Sequence, residues 1–542
     1  MALSIISYKG ERQMKMRKFL ALMLVFAMMF TVFALTSCGD DEDDGGDSEA
    51  SERDLANVFG GEVRIIKGKF NVLTETDRSV GQAFNIVDLT ADKNLGAEEI
   101  KAAVELRNDL ILRNFRANIT RTPSAQASTD ALQAARVGND DYNAFMLAVA
   151  AGLSFASQGY AVNFSEADYI DLTESYWDQG TRETLQLAGG NYIAIGDLLT
   201  VDKDATYITM FNKKVLSLRN AGFDDKDLYN LVEAGVGKNG GFTLDWLMTE
   251  VKDLYSPANT DQEKQFWTDT PTNVSYGLFT QQEVVNILLQ TSGFTPTKVD
   301  SSQLSGVVVN LNANVEGIRF DDAVRKLWQN FGAVAHQPYF MDLNTICTTA
   351  NAGGEDPWQL IARGGFSDNR AAFFICHAGS IALLRDMESE FGILPIPKLY
   401  DWQTDYKSSI QYGNAHCYVV PQFSDRFIAD SCYILEAMCY YSSEDYLEED
   451  SLKYAYYDKL LTGKAIRDPQ SWKMLDIIFG PEGRVYDLSM ALNINRIYSV
   501  LPNSVCTATY SWGSQKASIE QGFSAAIGDS LKQLLDVISG GR

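Results

Sequence analysis

At 542 residues the chain is too long for one small core and has the length of two or three lobes. It carries 71 acidic against 46 basic residues, a net charge of −25, so its surface repels nucleic acid and anionic lipid and neither is an expected partner. Among its seven cysteines, Cys347, Cys376, Cys417, Cys432, Cys439 and Cys506 follow Cys38 and are expected to stay free thiols, since a chain of this size needs no disulfides.

The first readable stretch is Phe19 to Cys38, an apolar run preceded by Lys15, Arg17 and Lys18 and closed by small residues, which is the pattern of a secretory signal. Its end, Leu35-Thr36-Ser37-Cys38, resembles the lipobox of bacterial lipoproteins. The resemblance implies cleavage before Cys38, acylation of its thiol, and anchoring at the outer face of the cell membrane. Losing residues 1–37, with five Lys/Arg and one Glu, would leave 505 residues at a net charge of −29. Residues 38–61 form an acidic tether, too poor in large apolar side chains to fold.

From Glu62 the pattern turns globular. Val63–Ile66 and Phe70–Leu73 read as strands, followed by the polar loop Thr74–Arg78. Ile100, Val104, Leu110 or Ile111, and Phe115 recur at helical spacing over 98–116. Asn118–Thr120 is a short strand, Leu132–Arg136 a helix, and Asp141–Leu147 a strand. Strand, helix, strand, helix, strand predicts an α/β fold with a mostly parallel sheet. Ligands in such sheets sit beyond the carboxyl ends of the strands, so the loop Thr74–Arg78, Asp77 and Arg78 among it, and the residues at and after Met146 are candidate binding positions. Asn191–Asp197 reads as a hairpin and Thr206–Phe211 as a strand, and Thr243 as the cap of a helix reaching about Tyr255. Region 257–350 is the least legible, with a strand-prone run at Ser301–Val315 that has the look of an insertion. Cys432 and Cys439 lie seven apart in an apolar helical pattern and read as small buried hydrophobes.

Two blocks carry a family resemblance. The first is Phe211-Asn212-Lys213-Lys214, then Ala221-Gly222, Asp227-Leu228-Tyr229 and Thr243-Leu244-Asp245-Trp246. The second runs Arg385-Asp386-Met387-Glu388, Phe391-Gly392-Ile393-Leu394-Pro395-Ile396-Pro397-Lys398, then Asp401, Gln403, Tyr406 and Ser408. In this order they resemble family 1 extracellular solute-binding proteins of carbohydrate-type ABC importers. Gly237–Gly241 departs from that pattern, as does Phe242, where the family usually has Trp. The resemblance implies a two-lobed, periplasmic-binding-protein-like α/β fold of type II, with lobe one at 62–205 plus 373–445 and lobe two at 206–372 plus 446–542. It implies a small solute, an oligosaccharide above all, as ligand, with ABC permease subunits and the membrane anchor as further partners and a monomer as the working form. No cofactor is implied. Tyr510 and Trp512 fall where relatives often place an aromatic platform for a sugar ring.

An enzyme finds less support. Paired carboxylates of a glycoside hydrolase cannot be picked out among 71 acids. Cys376-His377 and His416-Cys417 are adjacent residues that face opposite ways on a strand, so neither makes a catalytic or metal site alone. The alternatives to a solute binder are a cell-surface glycan hydrolase and a helical outer-membrane glycan-binding lipoprotein.

Overall fold

The computed structural model describes residues 63–76, 88–91, 98–219, 222–254, 276–332, 340–342, 365–384, 386–423, 425–466, 468–480, 483–507 and 509–540. The chain divides into units Met1–Val63 and Arg64–Arg542, and every element below lies in the second. The signal segment, Cys38 and the whole tether lie outside the described residues.

The first half follows its periodicity. β1 (Gly68–Glu75) buries Phe70, Val72 and Leu73. α1 (Glu98–Phe115) buries Ile100, Ala103, Val104, Arg107, Ile111 and Phe115, with Glu98 and Glu99 in its first turn and Arg113 in its last, the charge order that suits a helix dipole. β2 (Ala117–Ser124), α2 (Ala127–Val137) and β3 (Ala144–Ala148) follow; α2 stops at Gly138, whose φ of 66° a glycine adopts without strain. β1 pairs in parallel with β2 and β3, and β13 (His416–Val419) adds antiparallel to β3. The sheet order is β13-β3-β1-β2. α3 (Val149–Ser157) packs on β3 and β13.

A second sheet has the order β10-β5-β11-β4-β12, built from β4 (Tyr207–Asn212), β5 (Tyr276–Thr280), β10 (Phe340–Asp342), β11 (Ala371–His377) and β12 (Phe391–Leu394). β5 pairs in parallel with β10 and β11, and β4 runs antiparallel between β11 and β12. Both sheets share one plan. Their first parallel strand lies between the next two, and an antiparallel strand flanks the third.

Helices cover the second sheet. α4 (Lys213–Arg219) packs near β4, β11 and β12, and α5 (Asp225–Gly235) with α10 (Pro469–Ile478) packs on β12. α6 (Leu244–Leu254) packs on β5 and β11, and Thr243 Oγ1 accepts from Trp246 N at 3.2 Å, as its reading as a cap requires. A helical group stands beside the sheets: α7 (Val284–Thr291), α8 (Phe320–Leu327), α11 (Ile497–Val505) and α12 (Trp512–Ile538). α9 (Asp425–Tyr440) packs on α1.

Three expectations change. Residues 63–66 form no strand; Ile66 N donates instead to Phe115 O at 2.8 Å. Residues 191–197 make no hairpin: Ala194 bridges to Tyr418 and Gly196 to Trp177, because this buried stretch takes its hydrogen bonds from neighbours. The run at 301–315 contributes β7 (Val307–Val309) and β8 (Asn314–Val315), which pair only locally, with β6 (Thr297–Val299) and β9 (Ile318–Arg319). β11 and β12 both hydrogen-bond to β4 and so join the second sheet.

Candidate functional site: the facing strand ends

Three segments run side by side between the sheets. Thr206 bridges antiparallel to Ile410, with Tyr207 N donating to Ser409 O (3.0 Å) and Gln411 N to Ala205 O (3.0 Å). Ser408 bridges in parallel to Arg484, with Val485 N donating to Ser408 O (2.9 Å). These crossings feed the antiparallel strands directly: β4 starts at Tyr207, and β13 starts at His416 a few residues beyond Gln411. Tyr207 is in register with His377, the last residue of β11, and His416 with Ala148, the last residue of β3. The carboxyl ends of the parallel strands in both sheets therefore face the crossings, and through them each other. Open α/β sheets bind ligands at such carboxyl ends, which makes this place the candidate site.

At the first sheet's end, Glu75 closes β1 with its side chain one-third exposed, and its Oε2 lies 3.4 Å from Nε2 of the buried His416. The His416 Nδ1 sits 2.8 Å from the Asn414 carbonyl, an acceptor only, so Nδ1 carries the proton and donates. At the second sheet's end, Tyr207 meets the His377 ring edge-on at 5.5 Å. Burial pushes the Tyr207 phenol well above its ordinary value, and Tyr498 and Glu283 add to that. Beneath, Gln290 Oε1 accepts from Tyr412 Oη at 2.7 Å and Ser409 Oγ at 3.1 Å, tying α7 to the middle crossing.

The crossings are clamped by charge. Arg484 sends Nη2 to Asp178 Oδ2 (2.5 Å) and Nη1 to Asp202 Oδ2 (2.6 Å), while Lys203 Nζ lies 3.3 Å from Asp202 Oδ1. Burial works against the guanidinium, yet Asp178 and its neighbours hold its pKa well above the ordinary value.

The residues picked from sequence are not brought together here. Asp77 and Arg78 lie outside the described residues. Met146 is fully buried inside β3, in register with Thr74 and Tyr418, so it is core rather than a strand-end contact. Trp512 is 1% exposed at the start of α12; its Nε1 donates to Asp321 Oδ1 at 2.9 Å and its ring leans on Phe320. Tyr510 sits under Arg325 beside Trp328. Both aromatics thus pack onto α8 and its continuation, where the amphipathic face of α8 needs large partners. Glu75 falls inside the loop Thr74–Arg78 that sequence reading names as a candidate cleft position, though it is not singled out there. Sequence reading could not find His416, whose strand is known only through its pairing.

Chemically the facing ends offer carboxylates, phenols, amides and two imidazoles, those of His416 and His377. Burial raises the Cys376 and Cys417 thiols, which keeps them from acting as thiolate nucleophiles. Among the described residues no group of three His, Cys, Asp or Glu is placed to hold a metal ion, and no helix is long and apolar enough to cross a membrane.

No family's sequence profile matches the chain, and no curated protein is similar to it. Solved structures do resemble it in chain path. Mycobacterium tuberculosis UspC is 12% identical, with 85% of this chain and 100% of that one covered at a TM-score of 0.47. An ABC substrate-binding protein of Listeria monocytogenes, solved with cycloalternan, is 12% identical over 87% and 99% of the two chains at 0.46. A family 1 extracellular solute-binding protein of Alicyclobacillus acidocaldarius is 10% identical over 86% and 99% at 0.46.

Proposed function

We propose that this protein captures a small solute between the facing ends of its two sheets and holds it by hinge closure, without changing it chemically. The observation that supports this reading is the paired crossing at 205–207 and 409–411, which leads into the antiparallel strand of each of two sheets of like topology. A ligand contacted from both sides favours the closed state by its differential affinity for it. The two sheets, with the boundary moved to follow β12, are the two lobes. The motif resemblance of FNKK and FGILPIPK supports an oligosaccharide as the solute and an ABC importer's permease as the recipient. The resemblance of Leu35–Cys38 to a lipobox supports an acyl anchor on the outer face of the membrane.

A glycan screen read by thermal shift tests the reading. A cognate solute at about 100 times its Kd stabilises the native state by about 2.7 kcal/mol, and the recovered solute is intact. Absence of any shift across neutral, amino and acidic oligosaccharides would count against solute capture, and recovery of cut glycan would convert the reading to that of a hydrolase. For the anchor, Cys38→Ser is expected to abolish labelling by a fatty-acid analogue and release the protein from the membrane fraction; retained labelling would refute it.

A further inference from the structure

The second motif block has a physical role that solute capture does not use. Lys398 follows β12, and its backbone is fixed by Lys398 N to Phe242 O (3.0 Å) and Leu244 N to Lys398 O (2.8 Å). Its side chain is buried, and Nζ donates to four main-chain carbonyls: Gly235 at 2.6 Å, Lys238 at 3.0 Å, Gly240 at 3.2 Å and Thr404 at 3.2 Å. The Tyr406 ring lies beneath, its centroid 4.5 Å from Nζ. The carbonyl dipoles and the ring face are its direct contacts, with the Asp405 carboxylate acting on the charge from farther off.

An ammonium has three protons to share among these four acceptors. Such a shell of carbonyl oxygens is the kind that replaces the water around a bare monovalent ion. The loop is shaped for it. Gly241 has a φ of 88°, and a Cβ at Gly235 would come 2.6 Å from the Tyr406 hydroxyl, which itself accepts from Phe242 N at 2.7 Å. The run Gly237–Gly241, where the sequence departs from its family pattern, is thus the wall of the cage. Asp401 O holds Gly240 N. Gln403 Nε2 donates to Thr291 O at 3.1 Å, which fixes the following turn to α7. Burial lowers the Lys398 ammonium to about 8, so the charged form still predominates at pH 7.

We infer that Lys398 is a tethered monovalent cation filling a carbonyl cage built by Gly235, Lys238, Gly240 and Thr404, and that this cage accepts a free ammonium or potassium ion once the side chain is cut away. The cage anchors the segment 398–411 where it leaves the second sheet for the crossing. It does not depend on what solute the protein binds.

The test is thermal melting of the Lys398→Ala and Lys398→Met proteins at pH 7 in choline, tetramethylammonium, sodium, potassium and ammonium chlorides at equal ionic strength. Lys398→Ala should melt several degrees below the native protein in choline and tetramethylammonium, and recover a large part of the loss in ammonium and potassium. Lys398→Met, whose stem fills the cage without charge, should melt lower in every salt, and the native protein should show no cation preference. Equal melting of Lys398→Ala in choline, potassium and ammonium overturns the inference. If Lys398→Ala does not fold in choline, its soluble refolding yield is compared between choline and ammonium; recovery in ammonium alone supports the cage, and recovery in neither overturns it.

Discussion

Replacing Arg484 by Met removes the cation that ties the third crossing segment to the first. The guanidinium forks between Asp178 and Asp202, whose side chains are 6% and 0% exposed. After the change Asp202 keeps Lys203 as its near cation, and Lys203 also serves the carbonyls of Gly196 and Leu199. Breaking a buried pair and leaving its carboxylates uncompensated costs about 3–5 kcal/mol. At about 2.1 cal/mol/K of unfolding entropy per residue, a chain of this length loses on the order of 3–5 °C in Tm. Arg484→Lys should recover only part of the loss, because a point charge cannot reach both carboxylates at once. Calorimetry of Arg484→Met, Asp202→Asn and the double variant gives the coupling directly. The double variant should be more stable than the sum of the single losses allows, by more than about 0.5 kcal/mol. Additive losses, or a Tm for Arg484→Met within about 1 °C of the native protein, would refute the clamp.

Stability should also fall with rising pH across the neutral range. Burial pushes Glu436, which accepts from Tyr176 Oη, Trp177 Nε1 and Asp171 N, up to about 7, and Asp204, bonded by Tyr456 Oη, likewise to about 7. Both pKa values are raised over their ordinary 4.5 and 3.8, so the native state holds more protons than the unfolded chain between those values and 7. Their contribution is complete in acid and is lost as pH rises through about 7. Glu436→Gln should flatten the fall of Tm between acid and mildly alkaline pH, and an unchanged slope would refute the assignment. Gly392→Ala should destabilise by about 1–3 kcal/mol through overpacking, because a Cβ there would run into the Phe211 ring and the Tyr229 hydroxyl; urea denaturation showing no loss would sink that account.

Much of the architecture is legible without coordinates, for reasons that stay local. The alternation from Phe70 to Leu147, the face of Ile100, Val104, Ile111 and Phe115, and the cap at Thr243 each depend on neighbours within a few positions. So do the apolar run before Cys38 and the acidic tether after it, which stand as expectations about residues outside the description. The site was less legible. Glu75 could be placed at a strand end, but its neighbour His416 comes from more than 300 positions away and meets it only through sheet pairing.

Sequence alone determined the α/β character, the order of elements and the residues of the cage motif, because hydrophobic period and turn chemistry are written in short windows. Only the tertiary structure decided which sheet each later strand joined. Ala371–His377 is buried along its whole length, so no alternation marks its partner; its hydrogen bonds to β4 and β5 do. The same holds for Trp512, whose apolar ring suits a sugar face and a helix interface equally until Phe320 and Asp321 are found against it. Lys398 is legible as part of the second motif block, but only the structure shows three carbonyls of the loop 235–240 and that of Thr404 closing around its side chain.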